Sequence, residues 1–236
     1  MKPLSTEQVR VGGEIGRRME LTARKNILAL DIEKDFLYPF RGDWDFRTQG
    51  DFIGTGKMLD GVTRLARNLN DPELTALRVR IRDALAQCQG ADGYIGLMKP
   101  PDRMGYLWDM HEMAAIILGL TSDAVYWNDE KSLTTAKRLA DFFMKALAED
   151  PTNIPAGDNS TTGVNNAFLN LYEATGDAKY LDFLEKYRHP EDWSLDIVQG
   201  RWGKLPGHVY NYMDGLIARM RARDMAGLDW RDDPVA

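Results

Sequence analysis

The run Trp108-Asp-Met-His-Glu112 opens an apolar stretch that continues to Leu120, and a Gly/Pro-rich loop carrying Tyr94 and Tyr106 leads into it. At helical spacing Trp108, His111, Glu112 and Ala115 share one face, with Gly119 beyond them, while Met110, Met113, Ile117 and Leu120 form an apolar stripe expected in the core. An imidazole beside a carboxylate can exchange hydrogen bonds and protons, and aromatic rings give flat apolar platforms with polar edges. The pattern recurs: His208, Asn211, Tyr212 and Gly215 share a second face, and Asn166 and Asn170 a third, beside Asn165. Such groups suit a polyhydroxylated ligand. The binding candidates are therefore His111, His208, Tyr94, Trp108, Asn166 and Tyr212, with further aromatics (Tyr38, Phe40, Trp44, Phe46, Trp193, Trp202) in the loops.

Glu112, Asp109 and Asp92 are the carboxylates expected nearest this cleft, and they are the weak catalytic candidates of a chain whose catalytic set is otherwise unknown. Cleaving a glycosidic bond takes two carboxyl groups about 5–10 Å apart. The structural alternative is that Asp92 caps a Gly-Tyr turn and Asp109 caps its helix. Metal and cofactor chemistry are not expected. Position 115 is alanine where a second histidine would complete a zinc-binding HExxH, and Gly200-Arg-Trp-Gly-Lys204 lacks phosphate-loop spacing. The single Cys88 excludes an intramolecular disulfide and a multi-cysteine metal site. A net charge of −6 without a basic cluster argues against nucleic acid. No apolar run reaches the roughly 18 residues of a membrane span, and Met1–Ile15 shows no signal-peptide core, so a soluble chain of unknown compartment is expected.

The elements that must hold these residues read almost entirely as helices. Three starts, Asn70-Asp71-Pro72, Asn128-Asp129-Glu130 and Gly176-Asp177-Ala178, each place an aspartate as N-cap before an amphipathic segment. These aspartates lie 58 residues apart (71 to 129) and 48 apart (129 to 177), the period of a helical hairpin plus a variable loop. The helices after the caps carry Arg78, Arg80, Arg82, Lys137, Arg138, Lys179 and Lys186 and read as an outer, solvated layer. Between them, Trp108 to about Tyr126, Thr162–Ala174 and Gly207–Met225 begin polar and continue apolar, as inner helices whose first turns converge. Gly13–Asp31 and Phe52–Leu69 complete about eight helices, four inner and four outer. Gly54, Gly56 and Gly61 in the second of these point to close packing or a nearby ligand. No strand pattern and no linker divides residues 1–236, which read as a single helical domain.

Several runs together resemble one family. Glu14-Ile-Gly-Arg-Arg-Met19, Asn26-Ile-Leu, Asp35-Phe-Leu, Gly54-Thr-Gly-Lys57, Asp92-Gly-Tyr-Ile-Gly96, Trp108–Glu112, Leu171–Leu181 and Gly207-His208 are similar, in order and spacing, to the bacterial β-L-arabinofuranosidase-like glycoside hydrolases. The resemblance spans about residues 12–225. It implies an all-α (α/α)6 toroid with its cleft at the N-terminal ends of the inner helices, and substrate-binding roles for His111 and His208. A third histidine of the family stands here as Asn165 or Asn166. The family's acid/base glutamate and zinc-bound cysteine nucleophile belong to later parts of the toroid, and Cys88 does not match that cysteine. About four of six hairpins are expected in this chain, with the open edge covered by a second copy or by a missing C-terminal portion. The leading expectation is a protein that binds or hydrolyses a saccharide. The alternatives are a non-catalytic carbohydrate-binding or assembly protein, and a sugar epimerase or lyase on a similar toroid.

Overall fold

A computed structural model of the protein describes residues 8–41, 54–100, 102–105, 107–150, 163–187, 209–229 and 231. Its α-helices are α1 (Gly13–Lys25), α2 (Thr55–Leu69), α3 (Pro72–Cys88), α4 (Leu107–Trp127), α5 (Glu130–Glu149), α6 (Val164–Thr175), α7 (Lys179–Tyr187) and α8 (Val209–Met225). No strand occurs among the described residues.

Three hairpins turn on the same chemistry. Asn70, Asn128 and Gly176 take left-handed φ values of 53°, 51° and 70°, ending α2, α4 and α6. Asparagine and glycine tolerate that conformation best, and a left-handed residue ends a helix by letting a backbone N–H reach back to an orphan carbonyl. The aspartate that follows each one then starts the return helix. Asp71 accepts from the backbone N–H groups of Glu73 and Leu74, Asp129 from Ser132, and Asp177 from Lys179. One reversing residue and one capping carboxylate thus fold α2/α3, α4/α5 and α6/α7 back on themselves.

The hairpins line up so that α2, α4, α6 and α8 pack in sequence as an inner row, with α3, α5 and α7 against α2, α4 and α6 on the outside. This is the toroid-like all-α arrangement the helical period implies. One apolar cluster runs through it from Ala23 to Ala218. Between α5, α6 and α7 it is aromatic: Phe168 lies 4.4 Å from Phe183 and 5.7 Å from Phe143, ring centre to ring centre.

Three readings of the sequence change. The segment expected as one helix to Asp31 ends at Lys25, and short 3₁₀ and π turns cover Ile27–Ala29, Glu33–Leu37 and Tyr38–Phe40. The winding change lets Ile27, Ile32, Leu37 and Phe40 all reach the core, which a straight helix would not allow. Arg78, read as solvated, is buried and pairs at 2.7 Å with fully buried Asp123, which also accepts from Thr63. The outer helix therefore sends one cation inward to neutralise an acid on α4. Lastly, Glu112, read on the polar face of α4, is fully buried, as are Asp109, Met113, Ile116 and Leu120.

The glycines of α2 split into two kinds. A Cβ on Gly56 would lie 2.1 Å from the backbone of Ala115, and one on Gly119 would lie 2.4 Å from the Gly56 carbonyl oxygen, so α2 and α4 cross backbone to backbone. A Cβ on Gly61 would meet open space. Gly56→Ala is therefore expected to cost about 3 kcal/mol or more of unfolding free energy by overpacking. Gly61→Ala is expected to add about 0.5–1 kcal/mol through helix propensity. Urea unfolding of both variants checks the contrast, and equal effects would refute the crossing.

Candidate functional site

The first turns of the inner helices meet around a cavity of about 300 Å³ lined by Lys57 and Asp60 of α2, His111, Ala114, Ala115 and Leu118 of α4, Gly163 before α6, and Asp214 of α8. A helix N-terminus leaves backbone N–H groups without intrahelical partners, and the helix dipole makes that end positive. Here carboxylates from neighbouring helices supply the partners. Glu112 Oε2 accepts from Gly54 N–H at 2.7 Å and Oε1 from Gly56 N–H at 3.1 Å, which seats the start of α2 on α4. Asp214 Oδ2 accepts from Gly163 N–H at 2.9 Å, which seats the start of α6 on α8. Each acid fixes the backbone of the helix beside its own.

His111 is different. It is 5% exposed, yet among the described residues neither Nδ1 nor Nε2 has a hydrogen-bond partner. The Trp108 ring stacks on it at 5.7 Å between centroids and 22° between planes, and His111 lines the cavity. Burial, with the Lys57 ammonium adding to it, brings the His111 pKa down to about 4, so the ring is neutral at physiological pH. A neutral imidazole offers one donor and one acceptor.

The carboxylates singled out from the sequence are engaged elsewhere. Asp109 accepts from the Tyr94 hydroxyl at 2.6 Å, from Leu97 N–H and from Met104 N–H, which clamps the preceding loop onto α4 rather than capping the helix. Burial still holds its carboxyl above the usual range against the pull of these donors. Tyr94 is buried there too, with its hydroxyl accepting from Met98 N–H. A Cβ on Gly96 would fall 2.3 Å from that hydroxyl, so the loop closes tightly over it. Asp92 accepts from Tyr94 N–H and pairs with Arg103 at 2.7 Å near the surface. Asp92, Asp109 and Tyr94 thus form a loop clamp, and Glu112 a helix seat.

Asn166 donates through Nδ2 to Asp214 Oδ1 at 2.8 Å and so stands behind that cavity-lining acid, whereas Asn165 faces a separate groove between α6, α7 and α8. His208 lies outside the described residues, and Tyr212 is described only as part of the α8 backbone. Trp44, Phe46, Tyr106, Trp193 and Trp202 also lie outside them. Reading the sequence missed Lys57, Asp60 and Asp214 as cavity residues. Asp214 follows Asn211 by three positions on α8, so the helical period placed it near that polar face. Among the described residues no group of three His, Cys, Asp or Glu side chains could hold a metal ion, and Cys88 is a half-buried thiol that does not fit a zinc-bound role. No helix among them is long and apolar enough to cross a membrane.

A row of inner helices whose N-terminal ends enclose a cavity, backed by outer return helices, defines a toroid-type all-α protein. The chain matches the family described as β-L-arabinofuranosidase, GH127 catalytic domain, over residues 18–223, and it belongs to that glycoside hydrolase family. It is 29% identical over 122 residues to the non-reducing end β-L-arabinofuranosidase of Bifidobacterium longum subsp. longum, a match covering 47% of this chain and 18% of that protein. In fold it is similar to the crystal structure of a GH127 β-L-arabinofuranosidase from Geobacillus stearothermophilus T6. The TM-score is 0.68 at 18% identity, covering 96% of this chain and 43% of the other. The chain thus spans less than half the length of each.

His111 and Glu112 are adjacent in sequence but titrate in opposite senses. Burial pushes the Glu112 carboxyl up to about 7 from an ordinary 4.5, against the pull of the backbone donors. As pH falls from 7 to 4.5 the folded protein takes up that proton before the unfolded chain does, which adds stability. As pH falls from 6.5 to about 4 the unfolded chain protonates His111 first, which removes stability. The two slopes oppose each other. Relative to the parent protein, His111→Leu is expected to gain stability progressively below pH 6.5, and Glu112→Gln to lose it progressively below pH 7. Denaturant unfolding across pH 4–8 measures both, and parallel curves for the two variants would contradict these environments.

Proposed function

We propose that this chain forms the sugar-recognising cleft of a β-L-arabinofuranosidase-type glycoside hydrolase, and that it binds a terminal L-arabinofuranosyl unit in the cavity at the inner-helix N-termini. The observation that carries this reading is His111, a buried residue of the cavity lining whose two ring nitrogens have no partner among the described residues. An orphaned buried polar group costs about 1–3 kcal/mol. A ligand hydroxyl that both donates and accepts removes that cost, which is why such a group is kept at a binding site. The family and the names of its two relatives supply the substrate class.

The cavity chemistry fits such a ligand. A pentofuranosyl ring is small, uncharged and rich in hydroxyls, and it meets one ammonium donor (Lys57), two carboxylate acceptors (Asp60 and Asp214) and one neutral imidazole. Ala114, Ala115 and Leu118 give the apolar wall against which a ring face packs. A pKa of about 4 makes His111 a hydrogen-bonding group rather than a proton shuttle near neutral pH, which favours recognition over epimerisation or elimination by this residue. Glycosidic cleavage is not assigned to Asp92, Asp109 or Glu112, because the first two hold the loop and the third holds α2.

Methyl β-L-arabinofuranoside is the probe, titrated calorimetrically into the protein at pH 7. His111→Ala is expected to weaken its binding about 10–100-fold, the loss of one or two hydrogen bonds to a buried group. Unchanged affinity in a variant that unfolds at the parent's temperature would refute the assigned cleft.

A further inference from the structure

Asp214 is held more firmly than a helix seat requires. Its Oδ1 accepts from Asn166 Nδ2 at 2.8 Å and its Oδ2 from Gly163 N–H at 2.9 Å, while Asn166 Nδ2 also reaches the Asp214 carbonyl oxygen at 2.9 Å. The Asn166 amide is oriented in turn by Arg221, which donates to its Oδ1 at 2.8 Å. Arg221 is itself fixed by Asn170 Oδ1 at 2.6 Å and Glu173 Oε2 at 2.7 Å. A guanidinium has no acceptor, so Asn166 must turn its oxygen to Arg221 and its NH₂ to Asp214. A carboxylate oxygen carries two lone pairs, and among the described residues each oxygen of Asp214 uses one. One acceptor site therefore remains on each oxygen of a carboxylate that lines the cavity with His111.

We infer that Asp214 is the specificity-determining residue of the cavity, accepting hydrogen bonds from both hydroxyls of a vicinal diol on a neutral furanose, with Asn166 and Arg221 as positioning residues. The assignment rests on the sugar-binding reading above. Two adjacent acceptors on a planar carboxylate match two adjacent O–H donors, as they match the forked donors of arginine. A sugar lacking either hydroxyl leaves a buried acceptor unsatisfied, and discrimination against such analogues is strong for that reason. Charge sets the class of sugar. Asp60 is paired with Arg64 at 2.8 Å, so Asp214 is the unneutralised carboxylate of the lining, and a ligand carboxylate placed against its acceptor oxygens is repelled.

The test titrates the protein with methyl β-L-arabinofuranoside, its 2-deoxy and 3-deoxy analogues, and the C5 uronate of the same glycoside. The parent protein is expected to bind each deoxy analogue and the uronate at least tenfold more weakly than the full glycoside. In Asp214→Asn the full glycoside is expected to weaken at least tenfold while the deoxy penalties shrink to less than threefold. Asn166→Ala is expected to fall between, with the deoxy penalties reduced but not lost. A parent protein that binds the full and deoxy glycosides equally overturns the assignment without any variant, so poor folding of Asp214→Asn leaves the test intact. Equal binding of the uronate overturns the neutral-sugar class. If Asp214→Asn binds the full glycoside as tightly as the parent while His111→Ala loses it, the cleft stands and Asp214 does not read it. No binding of any glycoside to the parent protein overturns both readings.

Discussion

The contact on which the rest of this structure depends is the backbone crossing of α2 and α4 at Gly56 and Gly119, sealed by Glu112. No side chain fits between the two helices there. Because they touch, the carboxylate of Glu112 reaches the backbone N–H groups that open α2 and satisfies donors a buried helix start would otherwise leave unpaired. The acid is fully buried, and its carboxyl titrates near 7 because desolvation outweighs the donors around it. Its position fixes where α2 begins, and hence where Lys57 and Asp60 enter the cavity.

A second buried acid ties the other end of α4. Asp123 follows Glu112 by eleven residues, about three helical turns, so both point along one side of the helix. Asp123 gathers Arg78 from α3, Thr63 from α2 and Ser132 from α5. The two ends differ in chemistry. At the cleft end the acids meet backbone N–H groups, and at the far end they meet a cation. At the cleft end a stacked histidine beside the acids has no protein partner among the described residues. Asp214 repeats on α8 the arrangement Glu112 makes on α4, but at the cavity wall instead of inside the helix crossing.

The same residue types thus divide by surroundings. Asp109, Glu112 and Asp214 all accept backbone N–H donors at the cleft end, yet Asp109 closes a loop, Glu112 starts a helix, and Asp214 lines the cavity. Tyr94, an aromatic in a glycine-rich loop, spends its hydroxyl on Asp109 and Met98. A glycosidase-type reading of paired carboxylates is therefore decided by which acids keep free acceptor sites, not by which lie closest in sequence to a histidine.

The sequence by itself determined the helical hairpins and their period, because turn and cap chemistry is local: Asn70-Asp71, Asn128-Asp129 and Gly176-Asp177 reverse and restart the chain with atoms a few residues apart. It also determined that His111 sits in the first turns of an inner helix, since that follows from apolar spacing. The family was legible in the order of short motifs spread over most of the chain. Tertiary structure alone decided which polar residues the cavity receives. Whether Glu112 faces solvent or α2 depends on a partner 58 residues away, and whether Asp214 meets Asn166 or water on one 48 residues away. The burial of Arg78 likewise waits on Asp123, 45 residues later. Such pairings are set by how helices cross, and the crossing is fixed by the absence of side chains at Gly56 and Gly119, which spacing along a single helix does not encode.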